Sequence, residues 1–238
     1  MRTQAPARTG LASAVWRALG TVRDPELDES ITDLRFVQEC TVAGDEVAVV
    51  LRLPTYFCAP NFAYLMVADA ADAVRAVPGV RTVRVTLADH FASDEINAGV
   101  AAGEGFAASF PGLADPEAVD LADLRRTFQR KAHAAAQELV ADGLLRSGWT
   151  LDDLLTTTLG QLPETPALDR LRRRRADLGL PAGPSAPLLL DADGAPMRAD
   201  ELPLKLRLAR TTRVSIEGNG IFCRGLLATR YPDEVSLP

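Results

Sequence analysis

The spacing of apolar residues in the first 90 positions alternates between a helical and a strand period, and it predicts a compact α/β unit. The predicted elements are a helix at 11–19, strands at 36–42 and 46–53, a helix at 60–77 and a strand at 80–87. Ala43-Gly44-Asp45 is typical of the turn between the first two strands. The second strand is apolar without interruption at 47–51, which predicts burial on both faces.

The middle of the chain is predicted to be helical after one ambiguous segment. Residues 91–114 lose their periodicity among several glycines and are assigned as a loop or linker. A mobile loop, a docking segment and a short helix near 93–102 all fit them. A helical extension is predicted over 115–180, beginning at Asp115-Pro116-Glu117, because these residues favour the start of a helix.

The two ends of the chain have weaker patterns. Residues 1–9 are expected to be a disordered lead-in, and PAGPSAP (181–187) indicates a linker. Residues 187–238 predict a small β region, with a hairpin around 192–194 and two short strands around Gly218-Asn219-Gly220. The expected fold class is α/β (α+β), with a mainly helical extension and a small C-terminal β region.

Composition narrows the classes of protein. Residues 1–124 carry 9 basic and 18 acidic residues, whereas residues 125–230 carry 17 basic and 12 acidic ones, which suggests two modules. The modest basic excess and few aromatics argue against nucleic-acid binding. No apolar run approaches the roughly 18 residues of a membrane span, and the N-terminus lacks the pattern of a signal peptide. We therefore expect a cytoplasmic protein without a membrane partner.

Cysteine offers the first candidate chemistry. Cys40, Cys58 and Cys223 are too few and too widely spaced for a disulfide framework, and no C-x-x-C zinc pattern occurs. Cys58 falls between a predicted strand and the N-terminus of a predicted helix, where free N–H groups and the helix dipole stabilise a thiolate. The alternative is an inert, buried cysteine.

The acidic segment RDPELDESITD (23–33) is the second candidate. Its carboxylates could bind a hard cation, but their spacing does not fit an EF-hand. We favour a solvated loop in which Asp24 and Ser30 or Thr32 cap backbone groups.

Four motifs in order resemble the SufT/PaaD-like (MIP18-type) family of iron–sulfur cluster assembly domains. They are the Val-x-Asp-Pro-Glu-Leu segment at 22–27, Ile-x-Asp-Leu at 31–34, Thr-x-x-Cys at 55–58 and Pro-Gly-Val at 78–80. The resemblance covers residues 10–90, which it identifies as an assembly-type α-β-β-α-β domain. The chain departs from the family pattern at Arg35, where glycine is common, and at Phe57, where a small residue is usual.

The resemblance implies an accessory factor that matures metalloproteins. Its cargo would be iron or a transient iron–sulfur cluster, and its partners a client metalloenzyme, such as a multicomponent di-iron oxygenase, and other assembly proteins. The matching positions imply Cys58 as the reactive cysteine and cofactor-binding residue, with Asp24, Glu26 and Thr55 beside it. The acidic loop is expected near Cys58. No catalytic residue follows, so the chain is not expected to be an enzyme, and a homodimer is left open.

The sequence itself assigns roles to three further residues. His90 follows a predicted strand end, and its imidazole suits iron, so Cys58 and His90 are the predicted metal ligands. Cys40 and Cys223 are expected to be packing residues, and a site shared by Cys58 and Cys223 is the alternative.

Other functions stay open at this point. One is a metal-free adaptor that docks an acidic partner through the arginines at 170–175, which could equally be a solvated helix face. Another is a cysteine-dependent enzyme, for which His90 is the candidate base.

Overall fold

The computed structural model describes residues 10–110 and 121–232. The α-helices of this part of the chain, α1 to α8 in order, are Gly10–Leu19, Pro60–Arg75, Ser93–Ala102, Phe106–Ser109, Leu121–Arg146, Leu151–Thr156, Pro166–Leu178 and Leu202–Arg230. The strands β1 to β3 are Val37–Ala43, Glu46–Arg52 and Thr82–Ala88. The predicted α/β fold class is confirmed. Among the described helices, none is long and apolar enough to cross a membrane.

The described residues divide into two compact units. The first contains the chain up to Leu121 and returns with Asn219 and the residues after it, and the second contains 122–218. The first unit is thus built from two separate stretches of sequence.

The first unit contains a three-stranded sheet in the order β1-β2-β3. β1 pairs with β2 in antiparallel fashion across the turn at Gly44, whose φ of 63° suits glycine. β3 lies parallel to β2, and α2 forms the crossover between them. All five elements predicted for residues 11–87 are present, with ends shifted by at most two residues.

The burial pattern of β2 corrects one prediction. Val47, Val49 and Leu51 are buried, while Glu46 and Ala48 are exposed, so most of this strand is buried on one face only. The uninterrupted apolar run misled the prediction because alanine is small enough to be tolerated on an exposed face.

The segment after β3 is largely helical in its described part. α3 confirms the helix that was one of the interpretations near 93–102, and α4 follows it. Asn97 on α3 binds the main chain of Leu87 on β3 in both directions, with N···O distances of 2.7 and 3.0 Å. The assignment of 91–114 as a loop or linker is therefore wrong for these helices. Residues 111–114 and the predicted helix start at 115–117 lie outside the described residues, as does the predicted disordered lead-in at 1–9.

The second unit confirms the helical extension, and a fully buried arginine bonds several of its segments to one another. Arg175 on α7 is fully buried and donates hydrogen bonds to the carbonyl oxygens of Pro181, Pro187 and Leu188 and to Gln137 Oε1, at 2.6–3.2 Å. Burial lowers the pKa of Arg175 to about 10. The interpretation of residues 170–175 as a solvated or docking face is thus wrong for Arg175, the last arginine of this run. The PAGPSAP segment folds back onto Arg175 within this unit and links no two domains.

The predicted C-terminal β region is only partly present. A turn around Asp193 and Gly194 brings Leu190 and Pro196 into an isolated antiparallel bridge, as the predicted hairpin requires. The two strands predicted around residues 218–220 are wrong, because α8 runs through them from Leu202 to Arg230. Gly220 marks a close approach and not a turn: a Cβ there would lie 2.9 Å from Glu29 Oε1.

Candidate functional site

Cys58 lies in the short turn between β2 and α2, as the sequence predicted. Ala59 caps α2, and Pro60 occupies its first turn, where the missing N–H is not needed. The Cys58 side chain is half-buried, and its Sγ lies 3.1 Å from Thr55 Oγ1. Thr55 and Cys58 are therefore in direct contact, and Thr55 fixes the direction of the thiol.

His90 braces the backbone of this turn. Its Nε2 lies 2.7 Å from the Cys58 carbonyl oxygen, and the Ala92 N–H donates to its Nδ1 at 3.2 Å. Nδ1 therefore accepts, and Nε2 carries the proton and donates. Burial lowers the pKa of His90, the hydrogen bond to Cys58 opposes this, and the charge of Arg230 reinforces it.

The predicted role of His90 as a metal ligand stays a prediction. Both ring nitrogens are used in hydrogen bonds to the main chain, so ligation would require one of these bonds to break. In the observed arrangement His90 positions Cys58 through its carbonyl oxygen, and it does not present a free nitrogen to the thiol.

Exposed aromatic rings surround the Cys58 turn. Tyr56, Phe57 and Phe91 are 55%, 74% and 50% exposed, which is unusual for large apolar side chains. The rings of Tyr56 and Phe91 lie 6.3 Å apart, and the Phe91 N–H donates to the Tyr56 carbonyl oxygen at 3.0 Å. We call these three residues the aromatic rim.

Asp24 organises the acidic loop. Its Oδ1 accepts hydrogen bonds from the N–H groups of Glu26 and Leu27 at 2.8 and 2.9 Å, so Asp24 caps this turn as expected. Burial raises the pKa of Asp24 to about 6, against the lowering effect of these two hydrogen bonds. Asp24 is buried and Glu26 is exposed.

The end of α8 binds the acidic loop, which the sequence did not predict. Asn219 Nδ2 donates to Glu26 Oε1 at 3.2 Å, and Arg224 Nη1 to Glu29 Oε2 at 2.6 Å. Glu26 and Glu29 therefore have partners within the same unit.

The same helix end also binds the sheet beside Cys58. Arg230 donates to the carbonyl oxygens of Leu53, just after β2, and Asp89, just after β3, at 3.1 and 2.5 Å. The Tyr231 hydroxyl donates to Asp89 Oδ2 at 3.1 Å, and the Arg52 guanidinium lies 4.0 Å from the Tyr231 ring centre. The only sequence signal for these partners was helical spacing, which the glycines at 218, 220 and 225 obscured.

The donor set around Cys58 fits a thiophilic cargo only in part. Thiolate is the ligand that iron–sulfur clusters use most. In the part of the chain that the structure describes, however, no group of three or more His, Cys, Asp or Glu side chains could hold a metal ion.

Comparison with known proteins places this site in a family. Residues 12–87 match the family described as iron-sulfur cluster assembly protein. An iron-sulfur cluster carrier protein of Synechocystis sp. (strain ATCC 27184 / PCC 6803 / Kazusa) is 36% identical over 74 residues, 31% of this chain and 20% of the relative. The chain therefore covers only a fifth of that relative's length. No solved structure matches the chain.

Residues 12–87 thus match the iron–sulfur cluster assembly family that the four motifs resemble, so the predicted resemblance is confirmed. The particular roles of Cys58, Asp24, Glu26, Thr55 and His90 stay predictions.

Proposed function

We propose that this chain is an accessory factor that delivers iron or an iron–sulfur cluster to a client enzyme through Cys58. The observation that carries the proposal is the half-buried thiol of Cys58 just before α2. Thr55 contacts its sulfur, and His90 binds its main-chain carbonyl oxygen. A carrier must bind its cargo and then release it, and a site with few ligands suits both steps.

The aromatic rim supports a protein partner at this site. Aromatic side chains are enriched in protein–protein interfaces, and three of them are exposed beside the thiol. A client docked on Tyr56, Phe57 and Phe91 would bring its own ligands close to Cys58. As client class we propose a multicomponent di-iron oxygenase, by analogy with one branch of the family.

We further propose that the chain is not itself an enzyme. A cysteine nucleophile needs a base directed at its thiol. His90 donates to the Cys58 carbonyl oxygen instead. The structure thus offers His90 as a support of the turn.

The test is anaerobic reconstitution of the full chain with ferrous iron and sulfide, followed by transfer to an apo-ferredoxin acceptor. We expect bound iron and sulfide, a visible absorption band and transfer for the wild type and for the control Cys40→Ser. We expect Cys58→Ser to lose all three. Equal iron binding and transfer by Cys58→Ser would contradict the proposal.

A metal-free adaptor is the second candidate, and the exposed rim is the observation that favours it. An adaptor requires the rim but not the thiol. Client maturation that survives Cys58→Ser and is lost on Phe57→Ser with Phe91→Ser would therefore favour the adaptor.

A further inference from the structure

A cavity of about 270 Å³ lies in the second unit, between α5, the turn at 190–197 and the first part of α8. All of its lining residues belong to this unit. The apolar part of its wall is formed by Ala134, Leu190, Met197, Leu206, Leu208 and Ala209. The volume is close to the lower end of the range of about 300–1,000 Å³ that is typical of small-molecule sites. The cavity therefore has the size and the wall of a site for a small ligand with an apolar part.

Both lysines of the chain line this cavity. Lysine accounts for only two of the 26 basic residues, Lys131 on α5 and Lys205 on α8. Lys131 Nζ lies 4.6 Å from the centre of the Phe128 ring. Within the described part of the chain, neither lysine has a carboxylate partner, whereas Arg130, which also lines the cavity, pairs with Asp193 at 3.4 Å. The two ammonium groups are therefore available to an anion.

The carboxylates in the lining have other partners. Glu138 Oε2 accepts a hydrogen bond from Arg213 Nε at 2.5 Å, and Asp191 Oδ1 accepts two main-chain N–H groups of its own turn at 2.9 Å. His133 also lines the cavity and adds no charge at neutral pH, since burial lowers its pKa to about 4. The two lysines thus place positive charge beside an apolar wall.

We propose that this cavity binds a small monocarboxylic acid with an apolar chain or ring, and that Lys131 and Lys205 bind its carboxylate. The apolar part would displace water from the wall, and a carboxylate forms strong charge-assisted hydrogen bonds with ammonium groups. An inorganic anion would leave the wall without a partner, and an uncharged apolar molecule would leave the ammonium groups without one. The site goes beyond the proposed function, since all of its residues lie outside the unit that contains Cys58.

The two lysines allow the site to be mapped directly. Octanoate is the probe, and octan-1-ol, which has the same chain without the charge, is the matched control ligand. Sulfo-NHS acetate acetylates primary amines, which in this chain are the two lysines and the α-amino group. We expect octanoate to slow the acetylation of Lys131 and Lys205 several-fold, as measured by peptide mass, and to leave the α-amino group unaffected. Octan-1-ol should protect the lysines much less.

Calorimetric titration of full-chain variants with octanoate measures the affinity. We expect one octanoate per wild-type chain, and Lys131→Gln and Lys205→Gln should each weaken binding about tenfold, because each removes a charge-assisted hydrogen bond. Arg173→Gln is the control variant and should bind as the wild type does, because Arg173 is an exposed residue of α7 outside the cavity. Ala209→Phe should fill the cavity and abolish binding, with its folding checked by circular dichroism.

Three results would each overturn the carboxylate site. They are no octanoate binding by the wild type, equal binding of octan-1-ol and octanoate, and undiminished octanoate binding by both lysine variants. Iron transfer is measured separately, and Cys58→Ser should bind octanoate as tightly as the wild type does. A failure of the carboxylate site would therefore leave delivery through Cys58 intact, and a failure of iron transfer would leave the carboxylate site intact.

Discussion

Replacing His90 with alanine should loosen the Cys58 turn. The substitution removes the donor to the Cys58 carbonyl oxygen and the acceptor of the Ala92 N–H. Ala92 is buried, so its orphaned N–H should cost about 1–3 kcal/mol, and the lost bond to half-buried Cys58 about 1 kcal/mol more. We expect the free energy of unfolding of the first unit to fall by about 2–4 kcal/mol.

Lowering the pH should weaken the same contact between His90 and the Cys58 turn. The pKa of His90 in the folded chain lies below its ordinary value of 6.5, mainly because of burial. The unfolded chain therefore takes up the proton first as the pH falls. The stability that neutral His90 contributes is complete above about pH 6.5 and is lost as the pH falls through the folded pKa. Protonation would also turn Nδ1 into a donor facing the Ala92 N–H.

The assay combines urea unfolding with two local probes at pH 7.5 and pH 5.5. The probes are the rate of Cys58 alkylation by iodoacetamide and hydrogen exchange of the amides at 56–62. His90→Ala should raise both rates several-fold at pH 7.5. The other histidine gives the control: His133→Ala should destabilise the second unit and leave the Cys58 turn unchanged. Unaltered alkylation and exchange in His90→Ala would refute the bracing role.

Three further predictions concern stability and are tested by urea unfolding. Arg35 is exposed and has a φ of 61°, so Arg35→Gly should stabilise the first unit by about 0.5–1 kcal/mol, and a similar gain from Arg35→Ala would contradict the strain argument. Burial lowers the pKa of His133 to about 4, so the second unit should lose at most about 3 kcal/mol between pH 6.5 and pH 4, and His133→Leu should abolish this loss. Arg213 pairs with buried Glu138 at 2.5 Å, so Arg213→Met should cost about 3 kcal/mol while the exposed control Arg210→Met costs little.

The assembly domain could be predicted because its local signals agree with its packing. The apolar face of α2 has a helical period, Pro60 begins the helix, and β3 alternates strictly. Each of these signals depends only on residues that are close together in the sequence. The exceptions were Ala48, whose small side chain tolerates exposure, and α3, whose Gly99 weakens the helical pattern.

The site was predicted in its local part and missed in its distant part. Cys58 and Thr55 are three residues apart, and the cap formed by Asp24 spans only the next three positions. The contacts of Asn219 and Arg224 with the acidic loop join residues 193 and 195 positions apart. The spacing of apolar residues carries no information about contacts between residues so far apart in the sequence. Gly220 permits a close approach to Glu29. In the sequence, a glycine with this role looks the same as a glycine that forms a turn.

The acidic residues of the loop at 23–33 have different structural roles. Asp24 is buried and serves the backbone of its own turn, so its carboxylate is structural. Glu26 and Glu29 bind the end of α8, so their charges position this end of the helix. A cation cage would need these carboxylates to converge on one point, whereas each is directed at a different donor. The loop therefore connects the end of α8 to the domain that carries Cys58.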